Sequence, residues 1–213
     1  MSRIATKICG LSTLETVDAA LKAGASHIGF NFFPKSPRYV AFEQAAALAV
    51  RLPYHVTAVG VMVDPDDEVV GQAVQAGVKA IQLHGKETAD RVAAICARFG
   101  LPIWKAISVK TRADLDQGRK YVGAADFLLF DAKTPDGASL PGGMGLRFDW
   151  SLLSGFQHVL PWGLSGGLDP DSVAEALAIT RAPLVDVASG VESAPGVKDV
   201  DKIAAFCKAV AQS

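Results

Sequence analysis

Eight short apolar runs recur along the chain, and most are followed by a stretch with helical periodicity. The runs are nearly continuous in apolar residues rather than alternating, as expected for parallel strands that are covered on both faces. They are ATKIC at 5–9, HIGFNF at 27–32, TAVGVMV at 57–63, AIQLH at 80–84, PIWKAIS at 102–108, DFLLFD at 126–131, HVLPWGLS at 158–165 and LVDVAS at 184–189. Strands and helices that alternate in this way predict a fold of the α/β class.

Amphipathic segments between the runs predict the helices. They are TLETVDAALKAG, FEQAAALAVRL, DDEVVGQAVQAG, ETADRVAAICARFG and DPDSVAEALAIT. Several begin with Ser, Thr or Asp and end with Gly, which are the residues preferred at the two ends of a helix. DLDQGRKY and FDWSLLSGF have a weaker period and are predicted to be short or irregular.

Eight strand–helix units of roughly 27 residues each predict a closed (β/α)₈ barrel at the small end of that fold's size range. An open doubly wound sheet is the alternative, but alternation without an antiparallel signal favours closure. No Pro/Ser-rich linker or change in composition divides the chain, so residues 1–213 are predicted to form a single domain.

Charge and cysteine content exclude several classes of function. The net charge of -1 argues against binding to nucleic acid or to an anionic membrane. No apolar run is long enough to cross a membrane, and the N-terminus lacks the apolar region of a secretory signal. Three widely spaced cysteines (Cys9, Cys96 and Cys207) are typical of a reducing compartment. A soluble, cytoplasmic protein is therefore predicted, and a charged ligand must be bound at a local site.

Polar residues at the strand ends are the candidate site, because the active site of a (β/α)₈ barrel lies at the C-terminal ends of its strands. Cys9 ends the first run and Asp131 ends the sixth. A carboxylic acid partly shielded from water there is more readily protonated, which suits a general acid. The further candidates at or near strand ends are Lys7, Arg38, Gln82, His84 and Asp186.

Each of these residues also has an ordinary structural explanation. Cys9 could be a small buried apolar residue, and Asp131 could cap the next loop or pair with Lys133. Arg38 is a planar fork suited to a carboxylate or phosphate, but loop arginines are more often solvated. His84 could be a base or a histidine that stabilises the barrel by hydrogen bonds. Cys96, Cys207 and the three tryptophans are predicted to pack in or over the core.

Glycine-rich loops follow the last three strands and predict a phosphate site. They contribute Gly142, Gly143 and Gly145 after the sixth strand, Gly166 and Gly167 after the seventh, and Ser189 and Gly190 after the eighth. Glycine lets backbone N–H groups approach an anion, and the loops after strands seven and eight hold phosphate in many barrels. No His, Cys or carboxylate spacing resembles a metal site, and no dinucleotide fingerprint follows the first strand, so neither metal nor cofactor is predicted.

Eight blocks of sequence, taken together, resemble one known family. They are KICG at 7–10, GFNFFPKSPRYV at 29–40, VGVMVD at 59–64, IQLHGKE at 81–87, LLFDAK at 128–133, PGGMGLRFDW at 141–150, GLSGGLDPDSV at 163–173 and VDVASGVESAPGVKD at 185–199. In this order the blocks resemble the phosphoribosylanthranilate isomerases of tryptophan biosynthesis. SPRYV, QLHG and SGVE with PGVKD are the most specific of these matches.

The resemblance implies a (β/α)₈ barrel that binds a phosphosugar–anthranilate substrate and rearranges an aminoaldose into an aminoketose. It implies that Cys9 is the general base, that Asp131 is the general acid and that Arg38 meets the anthranilate carboxylate. It also implies that the glycine-rich loops hold the phosphate. We expect the surroundings of Cys9 to favour the thiolate, with Lys7 as a contributor two residues earlier on the strand. No protein partner or oligomeric state is identified.

The sequence departs from the family pattern in the loop after strand six. Met144 and Leu146 stand where the family usually has a hydroxyl residue and a lysine, and Ala188 stands where a serine is frequent. Arg147 could supply the missing charge from the next position.

Other functions of a (β/α)₈ barrel are weaker hypotheses. An indole-glycerol-phosphate synthase would need a Lys/Glu arrangement that cannot be placed, and a ribulose-phosphate epimerase would need metal ligands. A barrel that only binds ligand is favoured by Met144 and Leu146 alone, and Cys9 and Asp131 count against it.

Overall fold

A computed structural model describes residues 4–134 and 142–213 of the chain. The predicted domain, 1–213, and the sequence block that starts at Pro141 therefore reach beyond the described residues, at 1–3 and at 135–141.

Eight parallel strands close into a barrel in the order of the sequence, with the eighth strand paired to the first. They are β1 (Ala5–Cys9), β2 (His27–Asn31), β3 (Thr57–Met62), β4 (Ala80–Leu83), β5 (Ile103–Val109), β6 (Phe127–Ala132), β7 (Trp162–Leu164) and β8 (Leu184–Val187). The predicted (β/α)₈ barrel is confirmed, and the open doubly wound sheet is wrong. β7 is shorter than its apolar run because Pro161 precedes it and has no N–H to donate to a neighbouring strand.

Seven α-helices connect the strands or follow them in the described chain. They are α1 (Leu14–Lys22), α2 (Phe42–Ala49), α3 (Asp67–Gln75), α4 (Ala89–Phe99), α5 (Arg112–Leu115), α6 (Val173–Thr180) and α7 (Val200–Ala211). The predicted caps are present: the side chains of Thr13, Asp66 and Thr88 accept N–H bonds at the starts of α1, α3 and α4. Gly100 ends α4 in the left-handed conformation, at φ 65°.

The two segments with a weak helical period form short 3₁₀ helices, at Asp116–Tyr121 and Trp150–Leu153. An antiparallel hairpin, β9 (Glu192–Ala194) with β10 (Val197–Lys198), lies outside the barrel between β8 and α7. This hairpin has no antiparallel signal in the sequence, because strands of two or three residues are too short to show a period.

Apolar side chains fill two regions on opposite faces of the barrel wall. The larger region lies between the strands and the helices, and the smaller one is inside the barrel. The inner cluster contains Val59, Ala80, Trp104, Leu129 and Leu184. Side chains alternate along a strand, so the next inward-facing residues lie above this inner cluster. They form the floor of the barrel at the C-terminal ends of its strands. All three tryptophans and Cys207 are buried, and Cys96 packs partly buried on α4, as predicted.

We expect the barrel to lose stability as the pH falls, through two partly buried histidines. Burial lowers the pKa of His27 and of His158 to about 4, in both cases below the unfolded value of 6.5. The unfolded chain therefore binds more protons between these values, so stability is complete above pH 6.5 and is lost towards pH 4. His158 stacks on Trp162 with 3.9 Å between ring centroids, a contact that phenylalanine can keep.

His158→Phe should thus show a smaller drop in melting temperature between pH 7 and pH 5 than the wild type. His55→Gln is the control, since His55 is exposed. An equal drop in wild type and His158→Phe would contradict this assignment.

Candidate active site

A cavity of about 780 Å³, including the space that opens to solvent, lies at the C-terminal ends of the strands. Six of the predicted side chains line it: Cys9, Arg38, Gln82, His84, Asp131 and Asp186. The glycine-rich loops contribute Gly142, Gly143, Gly145, Gly166, Gly167 and Ser189 to its rim. The fold therefore brings residues from four strands and from five of the segments that follow strands to one place.

Cys9 lies at the end of β1 above a buried ion pair. Lys7 is fully buried behind it, and its Nζ lies 2.9 Å from Oδ1 of Asp186 on β8 and contacts the thiol. Space for these groups depends on Gly29 of β2, where a Cβ would stand 2.9 Å from Sγ of Cys9 and 3.1 Å from Nζ of Lys7. Lys7 is thus a buried partner of Cys9 and Asp186 rather than a residue of the cavity wall.

Electrostatics at Cys9 differ from the expectation. Burial raises the pKa of the Cys9 thiol, and the charge of Asp186 acts in the same direction. The ammonium groups of Lys7 and Lys198 lower this pKa, as expected of Lys7, but they do not outweigh burial. Burial alone would lower the pKa of Lys7, but interactions with Asp186 and Cys9 raise it above its usual value. The expected net preference for thiolate is therefore wrong, because burial outweighs the two ammonium groups and favours the thiol form of Cys9.

Removing the Lys7 charge should make Cys9 harder to ionise. In Lys7→Met, the pH midpoint for alkylation of Cys9 by iodoacetamide should rise above that of the wild type, because the nearest stabilising cation is lost. Peptide mass spectrometry separates Cys9 from the other two cysteines. Lys79→Met, at an exposed position, is the matched control. An unchanged or lower midpoint in Lys7→Met would contradict the assigned effect.

Asp131 forms a hydrogen-bonded chain with two residues of the QLHG block. Its Oδ2 lies 3.0 Å from Nε2 of His84, whose Nδ1 lies 3.2 Å from Nε2 of Gln82. Oδ1 of Asp131 accepts from the N–H of Ala132 at 2.9 Å. A Cβ at Gly142 would lie 2.5 Å from Oδ2 of Asp131 and 2.8 Å from Nε2 of His84, so only glycine fits over this pair. Asp131 neither pairs with Lys133 nor caps the next loop among the described residues.

Arg38 is buried and fixed by an acidic partner that the sequence analysis did not identify. Its Nε and Nη2 donate to the two carboxylate oxygens of Glu192 at 2.7 and 2.8 Å, and Nη2 also donates to the carbonyl of Gly143 at 3.0 Å. Nη1 has no acceptor among the described residues, and Arg38 lines the cavity. The guanidinium therefore presents one free edge to a ligand and is not a solvated loop charge.

Glu192 also binds Lys198, so a buried triad lies beside Cys9. Nζ of Lys198 donates to Oε1 of Glu192 and to the carbonyl of Ala188, both at 2.7 Å. Burial would raise the pKa of Glu192, but hydrogen bonds from Arg38 and the charge of Lys198 hold it below its usual range. Both residues lie in the block at 185–199, where an acid and a base within seven positions could have suggested an ion pair.

The glycine-rich loops after β7 and β8 meet at one side of the cavity mouth. Gly166 and Gly167 have positive φ values of 90° and 65°, and neither N–H has an acceptor among the described residues. Ser189 lies beside them on the rim. Gly190 does not line the cavity, since it packs closely against the carbonyl of Leu168. Two unpaired N–H groups and a hydroxyl give this side of the mouth the donors that an anion requires.

Arg147 is not directed at this anion site. Its Nε donates to the carbonyl of Gly167 and its Nη2 to Oδ2 of Asp169, both at 2.8 Å, and it stacks over Trp150. Met144 and Leu146 lie on the rim and are 48% and 36% exposed. The site as described therefore relies on neutral donors for an anion on this side.

No group of His, Cys, Asp or Glu in residues 4–134 and 142–213 is arranged to hold a metal ion. Over the same ranges, no helix has the length and apolar character needed to cross a membrane.

A closed parallel barrel with a thiol, a carboxylate–imidazole pair and unpaired backbone N–H groups at the C-terminal ends of its strands has the architecture of a (β/α)₈ enzyme. Residues 6–209 match the family model of N-(5′-phosphoribosyl)anthranilate (PRA) isomerase. The chain belongs to this family.

Individual relatives agree with the family match. The chain is 57% identical over 208 residues to N-(5′-phosphoribosyl)anthranilate isomerase of Zymomonas mobilis subsp. pomaceae, covering 97% of this chain and 98% of that protein. The crystal structure of phosphoribosyl anthranilate isomerase from Thermotoga maritima superposes with a TM-score of 0.88 at 35% identity, covering 99% and 100% of the two chains. A structure of the isomerase in complex with reduced 1-(o-carboxyphenylamino)-1-deoxyribulose 5-phosphate superposes with a TM-score of 0.83 at 33% identity, covering 99% and 100%.

Proposed function

We propose that this chain converts N-(5′-phosphoribosyl)anthranilate to 1-(2-carboxyphenylamino)-1-deoxyribulose 5-phosphate in tryptophan biosynthesis, with Asp131 as general acid and Cys9 as general base. The observation that carries the two roles is that a buried thiol and a buried carboxylate line one cavity beside an anion site. The substrate supplies the phosphate for the glycine-rich loops.

Acid catalysis opens the sugar ring. A proton passes from Asp131 to the ring oxygen, the bond from C1 to that oxygen breaks, and the nitrogen lone pair forms a cationic Schiff base. Asp131 is suited to this step because it is 3% exposed and its Oδ2 is held by His84. His84 fixes the direction of the carboxyl group.

Base catalysis then moves the double bond. Cys9 loses its thiol proton to solvent, and the thiolate takes the proton from C2 of the sugar. The electron pair of that C–H bond forms a C1–C2 double bond, and the cationic nitrogen becomes neutral. The resulting enolamine gains a proton at C1 and loses the hydroxyl proton at C2, which gives the ketone. Burial raises the pKa of Cys9 and so disfavours its thiolate. The positive charge of the Schiff base acts as a counterion and stabilises the thiolate at this step.

Arg38 is proposed to bind the anthranilate carboxylate through its free Nη1 edge. Glu192 holds the guanidinium in one orientation, so little entropy is lost when a carboxylate docks against it. Arg38→Ala should raise KM roughly 10- to 100-fold, as expected for loss of a charged hydrogen bond, with a smaller change in kcat. Arg38→Lys keeps the positive charge but loses the planar fork of the guanidinium. Its KM should lie between those of the wild type and Arg38→Ala. An unchanged KM in Arg38→Ala would contradict the carboxylate contact.

A stable product analogue tests the proposed ligand without the unstable substrate. We expect titration calorimetry to show one mole of reduced 1-(o-carboxyphenylamino)-1-deoxyribulose 5-phosphate bound per chain. Anthranilate and ribose 5-phosphate, which carry the two halves of the ligand, should each bind more weakly by at least about tenfold. The proposal fails if the analogue binds no more tightly than either half.

A cytoplasmic location is part of the proposal. It is supported by an odd number of widely spaced cysteines, a composition that suits a reducing compartment.

A further inference from the structure

Gln82 has a buried polar atom that the proposed chemistry does not use. The residue lies on β4 and is 1% exposed. Its Nε2 faces Nδ1 of His84 at 3.2 Å, whereas its Oε1 has no hydrogen-bond partner in the described part of the chain. A buried carbonyl oxygen without a donor is unfavourable, so the position of this amide in the cavity wall needs a reason.

The amide orientation in the structure requires one particular form of His84. An amide N–H that donates to Nδ1 requires Nδ1 to be unprotonated, so the neutral ring carries its proton on Nε2. That proton is donated to Oδ2 of Asp131 at 3.0 Å, which makes Asp131 an acceptor. In this arrangement the Asp131–His84 pair holds one proton and has none to give to a substrate.

Turning the amide by 180° changes the proton count while the shape of the side chain is nearly the same. Oε1 then faces Nδ1, which must carry a proton in order to donate to it. Nε2 can in turn accept a proton from Oδ2 of Asp131, or the imidazole can hold both protons beside the carboxylate. The pair holds two protons in either case, and one of them is available for acid catalysis.

We propose that Gln82 is a positioning residue that presents Oε1 to His84 and thereby loads the Asp131–His84 pair with the proton given to the sugar ring oxygen. This inference rests on the proposed function, which provides the acceptor of that proton. One proton leaves the pair in each ring opening and is regained from solvent, so the amide need not turn during turnover. The orientation with Nε2 towards His84 is the unloaded form of the pair.

Several of the charged groups around the pair are balanced by partners of their own. The ionisable groups on the surrounding elements are Cys9 on β1, Arg38 after β2, Asp64 after β3, Glu87 after β4, Lys105 on β5, Lys133 after β6 and Asp186 on β8. Arg38 pairs with Glu192, Asp186 with Lys7, and Lys105 with Glu87 at 3.0 Å.

Imidazole ¹⁵N spectra of the free protein between pH 5 and pH 9 report directly on the two ring nitrogens of His84. His84→Asn identifies its signals among the four histidines. In the wild type, Nδ1 should be protonated at low pH and lose its proton as the pH rises, leaving Nε2 protonated. Gln82→Met removes the acceptor and should move this transition down by at least about one pH unit. Gln82→Glu provides a stronger acceptor and should move it up.

Kinetics give the second readout. Gln82→Met should lower kcat about 10- to 100-fold, the usual cost of losing a partner that orients a working group, with little change in KM. The alkaline limb of the rate profile in Gln82→Glu should move to higher pH with the spectra. Gln75→Met, on the exposed face of α3, controls for the substitution itself. It should leave both the His84 spectra and the kinetic constants unchanged.

Spectra of Gln82→Met that superimpose on the wild type would overturn the inference, and so would a shifted spectrum with wild-type kcat. A wild-type chain without isomerase activity would overturn the proposed function. The control of the His84 proton by Gln82 would still be decided by the spectra, because they are recorded without substrate.

Discussion

Cys9→Ala should lose isomerase activity by about 10²- to 10⁴-fold in kcat while KM changes little, because the loss is that of a proton acceptor rather than of a binding contact. The thiol is 6% exposed and ends β1 at the cavity. Alanine removes only the sulfur, so the ion pair of Lys7 with Asp186 below it can stay in place. Cys9→Ser should be similarly inactive, because a hydroxyl is a far weaker acid than a thiol and supplies no comparable base.

Cys96→Ala is the matched control for Cys9→Ala, since Cys96 lies on α4 and does not line the cavity. Its kcat should equal that of the wild type. Melting temperatures of both variants separate loss of chemistry from loss of fold. A Cys9→Ala enzyme with near-wild-type kcat would remove Cys9 from the role of base.

Asp131→Asn should cause a second loss of about 10²- to 10⁴-fold in kcat, because an amide has the shape of the carboxyl group but cannot give up a proton to the ring oxygen. The neighbouring contacts limit structural change, since the amide oxygen can still accept from Ala132 or from His84. A substrate analogue with an already opened ring should bypass the need for this acid. Ring-opening activity that survives in Asp131→Asn would contradict the assignment.

The barrel could be predicted from the sequence because its signals are local and repeated. Continuous apolar runs such as TAVGVMV require cover on both faces, and the caps at Thr13, Asp66 and Thr88 mark where helices begin. The hairpin formed by Glu192–Ala194 and Val197–Lys198 could not be predicted in this way. Its position depends on the long-range contact between Glu192 and Arg38, which are distant in sequence.

Part of the site could also be predicted, because the strand ends of a parallel barrel converge. Cys9, Asp131, His84 and the glycine-rich loops were placed at one end by this rule. The protonation of Cys9 could not be predicted, because it depends on how completely the barrel buries the thiol against the charge of Lys7. The chain from Asp131 through His84 to Gln82 likewise depends on side-chain directions across β4 and β6.

Met144 and Leu146 show what the departure from the family pattern means in space. Both lie at the rim of the cavity, and Arg147 is held by Gly167 and Asp169. The phosphate of the substrate would therefore be bound mainly by N–H groups at Gly166 and Gly167. Binding by neutral donors should depend less on salt concentration than binding by a lysine.

Turnover of freshly prepared N-(5′-phosphoribosyl)anthranilate by the wild-type chain tests the central claim most directly. The fluorescence of the anthranilate group should fall as the substrate is consumed, at a rate proportional to enzyme concentration and far above that in buffer. Mass spectrometry and chromatography should identify the product as 1-(2-carboxyphenylamino)-1-deoxyribulose 5-phosphate. A decay no faster than in buffer would contradict the account.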